Sequence, residues 1–263
     1  MKDIRLTAPF SLLALVLVLF IGVPIANIYG VQLFQDFPGL VRAATDPAVY
    51  QSIWLSVYAS GIAAFSAFLF GTPLAYILAR KDFPGKTLMA RIIDLPMVIP
   101  HIAAGIMLYG IFNRSGMVGG LVDEFLLFED ALPGIVVAML FVSLPFFVNS
   151  AREGFESVNP RLEHVSRTLG QTPWKTFFKV SFPLASSHLL TGAILSWARG
   201  ISEYAAVAII AYYPKTAPIT IRDRFTAYGL SSSRPATILL VTICLITFIL
   251  LWSFAKSHES DWR

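Results

Sequence analysis

From Leu6 through Gln35, and again from Gln51 through Ala79, the chain carries no charged side chain. About 20 apolar residues are enough to cross the hydrocarbon of a bilayer as a helix. A helix is also the form in which one segment can satisfy all its own backbone N–H and C=O groups there. These two runs confine the chain to a membrane class before any motif is read. Six such segments are predicted, at about 8–30, 51–79, 92–112, 131–150, 184–211 and 235–255.

Composition agrees. Of 263 residues, 56% are hydrophobic and 14% charged, whereas soluble domains carry about 25% charged residues. The expected fold class is an all-α polytopic membrane protein, a single transmembrane domain over 1–263, because the loops between spans leave no room for a soluble domain. The start MKDIRLTAPF has the basic-then-apolar order of a signal peptide, but the run that follows is longer than the apolar core of such a signal. It reads as an uncleaved first span in contact with lipid. Cys244 is the sole cysteine, so no intrachain disulfide can form. The net charge of +4 does not point to nucleic acid, since in a membrane protein the placement of Lys and Arg carries the information.

That placement predicts an orientation. With the N-terminus inside, the inner side holds Lys2, Arg5, Arg80, Lys81, Lys86, Arg91, Arg152, Arg161, Arg167, Lys175, Lys179, Lys256 and Arg263. The outer side holds Arg42, Arg114, Lys215, Arg222, Arg224 and Arg234. The excess inside predicts N-in and C-in.

The longest polar segment between spans, Asn159–Pro183, reads as two short helices and a hinge. Asn159 can cap the first, with Pro160 where a missing N–H costs nothing. Leu162, Val165 and Leu169 recur at helical spacing. Gly170 supplies a left-handed stop, and Thr172-Pro173 repeats the cap-plus-proline start. Trp174, Phe177 and Phe178 form a second apolar face, and Pro183 is expected to end that helix. A capped amphipathic helix at the membrane surface suits docking into a groove on a partner.

The segment resembles the cytoplasmic loop of ABC importer permeases, which reads E-A-A, three residues, Gly, nine residues, I-x-L-P. Gly170 is the glycine, and Val180, Phe182 and Pro183 take the I-x-L-P register. His164, Val165 and Ser166 stand at E-A-A, with Glu163 one place early. The resemblance implies a coupling loop over 157–183 in which Leu162, Glu163, His164, Val165, Ser166, Arg167, Leu169, Gly170, Trp174 and Pro183 meet a separate ATPase. It also implies a type I importer architecture, a second copy of this chain, two copies of the ATPase and an extracellular oxyanion-binding protein.

Gly85-Lys86-Thr87 invites a phosphate-loop reading, but such a loop needs glycine five residues earlier, where Arg80 stands. The chain is therefore expected to hold no nucleotide or metal of its own and not to be an enzyme; ATP and Mg would sit on the partner.

Asp94, Pro96 and Pro100 in DLPMVIPHIAAGIML would break the third span and leave His101 at membrane depth. This run is similar to D-L-P-x-V-x-P-P-x-x-x-G of molybdate-type permeases, with His101 at the second proline of that pair. In the fifth span, SWARGISEYAAVAIIAYYP, Arg199 and Glu203 lie four apart on one helical face and are expected to pair, since lone charges there cost several kcal/mol. The stretch is similar to the G-E-F-G-A region of archaeal-type tungstate/molybdate permeases, with Ser202, Glu203, Tyr204 and Ala205 at the first four positions. Arg199, Glu203 and His101 are the candidate pathway or gate residues. Gly192, Ala193, Ala198, Gly200, Ala205, Ala206 and Ala208 would let this span slide at a dimer axis.

Asp123, Glu124, Glu129 and Asp130 read as solvated loop surface, and the basic loop from Lys215 to Arg234 as a surface for anions or an acidic partner. The function expected is the membrane subunit of an ATP-driven importer of a tetrahedral oxyanion, molybdate or tungstate. Sulfate, thiosulfate or phosphate import is the alternative, and a secondary transporter the alternative of another class. No nucleophile–base spacing or metal cluster supports an intramembrane enzyme.

Overall fold

The computed structural model describes residues 4–122 and 125–260, with side chains placed for 10–122 and 125–253. Lys2, Asp123, Glu124 and Arg263 lie outside the described residues, as do the side chains of Arg5 and Lys256.

In chain order the helices are α1 (Ile4–Gln35), α2 (Phe37–Thr45), α3 (Pro47–Arg80), α4 (Lys86–Asp94), α5 (His101–Phe112), α6 (Gly119–Val122) and α7 (Leu132–Ser157). There follow α8 (Pro160–Thr168), α9 (Pro173–Thr176), α10 (Phe182–Ile201), α11 (Ala205–Ile210), α12 (Ala217–Tyr228) and α13 (Leu230–Ser260). A 3-10 turn, Leu95–Met97, follows α4, and a π-helical turn, Phe177–Ser181, joins α9 to α10.

Among the described residues, four unbroken helices are long and apolar enough to cross a membrane: Phe10–Gln35, Pro47–Arg80, Leu132–Ser157 and Leu230–Ser253. The two other predicted spans are not straight helices. The third is bent by 110° between Lys86–Met97 and His101–Phe112. Pro96 lies in the 3-10 turn and Pro100 precedes the first residue of α5, so neither has to donate an N–H within a continuous helix. The fifth stops at Ile201 and restarts at Ala205. Arg199 is thus on α10, whereas Glu203 lies beyond its end.

The chain forms two compact units, residues 1–50 with 220–242 and residues 51–219 with 243–263. In the first, the apolar side chains of α1 from Phe10 to Ile25 are almost all exposed, as a lipid-solvated helix requires. Asp36 caps α2 by accepting from the Gly39 N–H at 2.9 Å. The Arg224 guanidinium donates to Asp46 and holds that carboxyl below its usual range.

In the second unit α7 runs through the core. One cluster joins Leu55 and Ala59 of α3, Leu108 of α5, Ile135 and Met139 of α7 and Val207 and Ile210 of α11. The other joins Ala75 and Leu78 of α3, Phe147, Ala151 and Phe155 of α7 and Leu189 of α10. Small residues of α10 are taken up inside this core. A methyl built on Gly192 would lie 3.1 Å from the Phe147 carbonyl oxygen, and one on Gly105 would lie 2.9 Å from Ala206 Cα. Glu129 accepts from the Tyr109 hydroxyl at 2.8 Å and Asp130 from the Tyr213 N–H at 3.1 Å. These two acids fasten chain segments, a correction to their reading as solvated surface alone.

Candidate functional site: a capped surface segment and an ion cluster at two helix breaks

The Asn159–Pro183 segment folds locally as its sequence dictates. The Asn159 side chain accepts from the Arg161 N–H at 3.0 Å and opens α8. At the other end Gly170 has φ 83°. Its N–H donates to the Arg167 carbonyl at 2.9 Å, and the Gln171 N–H donates to Ser166 at 3.2 Å. This is the pair of bonds that closes a helix through a left-handed residue. Thr172 then caps α9 by accepting from the Lys175 N–H at 3.3 Å.

Beyond this point the structure differs from the expectation. Pro183 does not end the second helix; the chain continues through the π turn into α10, where Pro183 occupies the first turn. The Phe182 N–H reaches back five residues to the Phe177 carbonyl. This wider turn lets the helix pass a residue that cannot donate.

The faces of α8 are sharply divided. Leu162, Val165 and Leu169 are exposed, Leu169 at 76%, and His164 and Arg167 lie on the exposed side as well. Leu162, Val165, Leu169, Val180, Pro183 and Leu184 line a shallow apolar groove of about 450 Å³. Trp174 is 74% exposed and stacks on exposed Phe178 at 6.2 Å. Phe177, expected on that same face, instead turns inward against Tyr76 at 5.0 Å.

Glu163 and Ser166 face the other way and are buried. Ser166 is 3.0 Å from the Thr176 hydroxyl, which joins α8 to α9. The Glu163 carboxylate accepts from Arg80 Nε and from the Ser181 hydroxyl, each at 2.8 Å, and from the Tyr76 hydroxyl at 3.3 Å. Arg80, Tyr76 and Ser181 were not legible as partners. Arg80 reads in sequence as a basic flank, and only the return of α8 against α3 reveals its acceptor.

The second constellation joins the two helix breaks. His101 opens α5, and Glu203 lies between α10 and α11, 1% exposed. Arg199 Nη2 donates to Glu203 Oε2 at 3.0 Å, and His101 Nδ1 lies 2.8 Å from that same oxygen. Arg199 Nη2 is also 2.8 Å from His101 Nε2. A proton on Nδ1 and a lone pair on Nε2 satisfy both contacts. Glu203 Oε1 accepts from the Ala206 N–H at 2.9 Å, in the first turn of α11. The three residues singled out from sequence therefore meet in one cluster, in which the guanidinium of Arg199 and the ring of His101 face a common carboxylate. Among the described residues no group of acidic, His or Cys side chains could hold a metal.

Residues 71–257 match the family model described as the binding-protein-dependent transport system inner membrane component. The chain belongs to this family. The match contains both constellations. The chain is 46% identical over 252 residues to the molybdate/tungstate transport system permease protein WtpB of Pyrococcus furiosus, covering 95% of this chain and 96% of that one. It is 44% identical to WtpB of Pyrococcus abyssi over 95% and 96%. It is also 31% identical to the sulfate transport system permease protein CysW of Synechococcus elongatus over 95% and 90%. Among solved structures, a chain of a bacterial ABC transporter that imports the polysaccharide alginate aligns with a TM-score of 0.77 at 14% identity, over 96% of both chains. A chain of the inward-facing methionine transporter MetNI aligns with a TM-score of 0.63 at 17% identity, over 80% and 95%. These two establish the fold. As a member of this family the chain is a multi-pass membrane protein.

Proposed function

We propose that this chain is the membrane-spanning subunit of an ATP-driven importer of molybdate or tungstate, and that its 157–183 segment docks on a separate ATPase. The observation that carries the docking is the exposure of Leu162, Val165 and Leu169 along a capped helix, beside exposed Arg161, His164 and Arg167. A surface helix ordinarily buries its apolar stripe; a stripe left exposed on a capped helix suits an apolar groove on another protein. The substrate follows from the two Pyrococcus relatives, which are more similar than the sulfate permease.

In this reading the chain is one type I importer domain with six spans, N-in and C-in. The bent α4–α5 pair and the broken α10–α11 pair supply the third and fifth spans. Two copies enclose the pathway, each taking one copy of the ATPase, which carries the ATP and Mg, and an extracellular binding protein delivers the anion. Closure of the ATPase pair draws the two coupling segments together, and the π turn passes that displacement into α10 as a rigid body. Arg199 gives the pathway positive character, and His101 adds a hydrogen-bonding ring beside it. Glu203 occupies both, so a passing oxyanion must compete with a tethered carboxylate and is not retained.

The test is uptake of radiolabelled molybdate by proteoliposomes holding the permease, its ATPase and its binding protein. Uptake requires ATP and is suppressed by tungstate far more than by equal sulfate. Val165→Asp leaves the permease in the membrane but lowers the ATPase recovered with it and lowers uptake about tenfold or more, the effect of losing an apolar anchor. Uptake without the ATPase, or equal suppression by sulfate, overturns the reading.

A further inference from the structure

Glu163 occupies the end of the segment expected to touch an ATPase, yet it is 8% exposed and turned away from the apolar stripe. Its carboxylate binds three places in the fold. Arg80 and Tyr76 lie on the last turns of α3, and Ser181 closes the π turn at the foot of α10. The second arm of Arg80 donates from Nη2 to the Val158 carbonyl at 2.8 Å, where α7 ends. Both side chains of the pair are about one-tenth exposed, 9% for Arg80 and 11% for Glu163. Beneath them Tyr76 packs edge-on against Phe155 at 5.3 Å and Phe177 at 5.0 Å.

A buried ion pair is a poor way to gain stability, because desolvation offsets most of the Coulomb attraction, and an apolar pair of the same size would pack as well. Charge-assisted bonds are instead short and directional. Chain connectivity links α8 to α7 through Asn159 and to α9 through the Gly170 turn. Nothing covalent links α8 to α3. The carboxylate does, and it reaches α10 by a route that bypasses Gly170.

We infer that the Glu163–Arg80 pair, with Ser181 and Tyr76, is the clasp that carries displacement of α8 into α3 and the foot of α10. Glu163 and Arg80 are then positioning residues of the transport step and not contacts for the ATPase. This rests on the reading that the segment docks on an ATPase. Rotating α8 without the clasp would turn the coupling helix on its hinge while α3 stayed in place, and hydrolysis would proceed without passage of the anion.

The experiment uses the reconstituted complex of permease, ATPase and binding protein, with radiolabelled molybdate. Three quantities are read: ATPase recovered with the permease, ATP hydrolysed and molybdate taken up. Glu163→Gln, Arg80→Lys and the charge-free double variant E163Q/R80M recover wild-type amounts of ATPase and hydrolyse ATP. Their uptake per ATP falls at least about fivefold, the lower end of an ordinary coupling free energy. Arg80→Lys tests direction as well as charge, because an ammonium cannot reach both Glu163 and Val158 as the forked guanidinium does.

Unchanged uptake per ATP in the double variant overturns the clasp. So does a loss of ATPase recovery, or of membrane abundance, that parallels the loss of uptake in every variant, since that marks a structural pair. Leu169→Cys in a Cys244→Ser background reads the docking separately. Absence of its crosslink to the ATPase overturns the docking and the clasp with it, whereas an intact crosslink with unchanged uptake per ATP overturns the clasp alone.

Discussion

Gly170 has φ 83° and open space where a Cβ would stand. A Cβ there meets no neighbour, so the penalty for adding one comes from the backbone. A β-branched residue in the left-handed region costs about 1–2 kcal/mol, whereas asparagine visits it routinely. Gly170→Val is therefore expected to lower transport per ATP hydrolysed, and Gly170→Asn to keep most of it; equal behaviour of the two would show that the left-handed turn is unimportant. The glycine was legible because its role is local: a cap is fixed by a few consecutive residues. Glu163 was not. Its number places it in the loop motif, but which way its carboxylate points depends on α3, eighty residues earlier in the chain.

The two helix breaks differ in how they announce themselves. Pro96 and Pro100 mark the bend before α5, since each lacks the N–H that a continuous helix uses. The stretch from Ser202 to Tyr204 contains no proline or glycine, and at its break Glu203 accepts from the Ala206 N–H and binds Arg199 and His101. The sequence expectation of one face carrying Arg199 and Glu203 found the right pair on the wrong geometry. Removing one member of a buried ion pair costs about 3–5 kcal/mol, more than removing both. Arg199→Gln should accordingly lower the thermal unfolding temperature of the purified permease more than Arg199→Gln combined with Glu203→Gln. A double variant less stable than either single one would mean that these groups are not held mainly by each other. Pro183 carries the same lesson in reverse, because a proline expected to stop a helix is accommodated by a wider turn.

At the scale of the molecule, the orientation rests on charges spread over the whole chain, and it has a direct readout. In a Cys244→Ser background, a membrane-impermeant maleimide should label Tyr213→Cys on intact cells and Trp174→Cys only after permeabilisation. Both positions are exposed, at 56% and 74%, so the difference reports the side of the membrane. The opposite pattern would invert the topology and remove the ATPase-docking proposal. The basic segment from Lys215 to Arg234 also changes character in three dimensions. Arg224 is paired with Asp46, and Lys215 sits over the rings of Tyr212 and Tyr213 at 5.4 and 5.1 Å. Part of its positive charge is thus used within the chain and not offered to a partner.

The membrane class, the helical content, the capped loop and the identity of the residues in the ion cluster follow from the sequence alone, because apolar run length, helical spacing and capping act over a few neighbouring residues. The burial of Glu163 and Ser166 on α8, the joining of His101 to Glu203 and the Arg80–Glu163 pair were decided only in the tertiary structure. The last of these joins residues 83 positions apart, the first depends on the burial such contacts create, and a buried carboxylate takes whichever donors the fold brings to it.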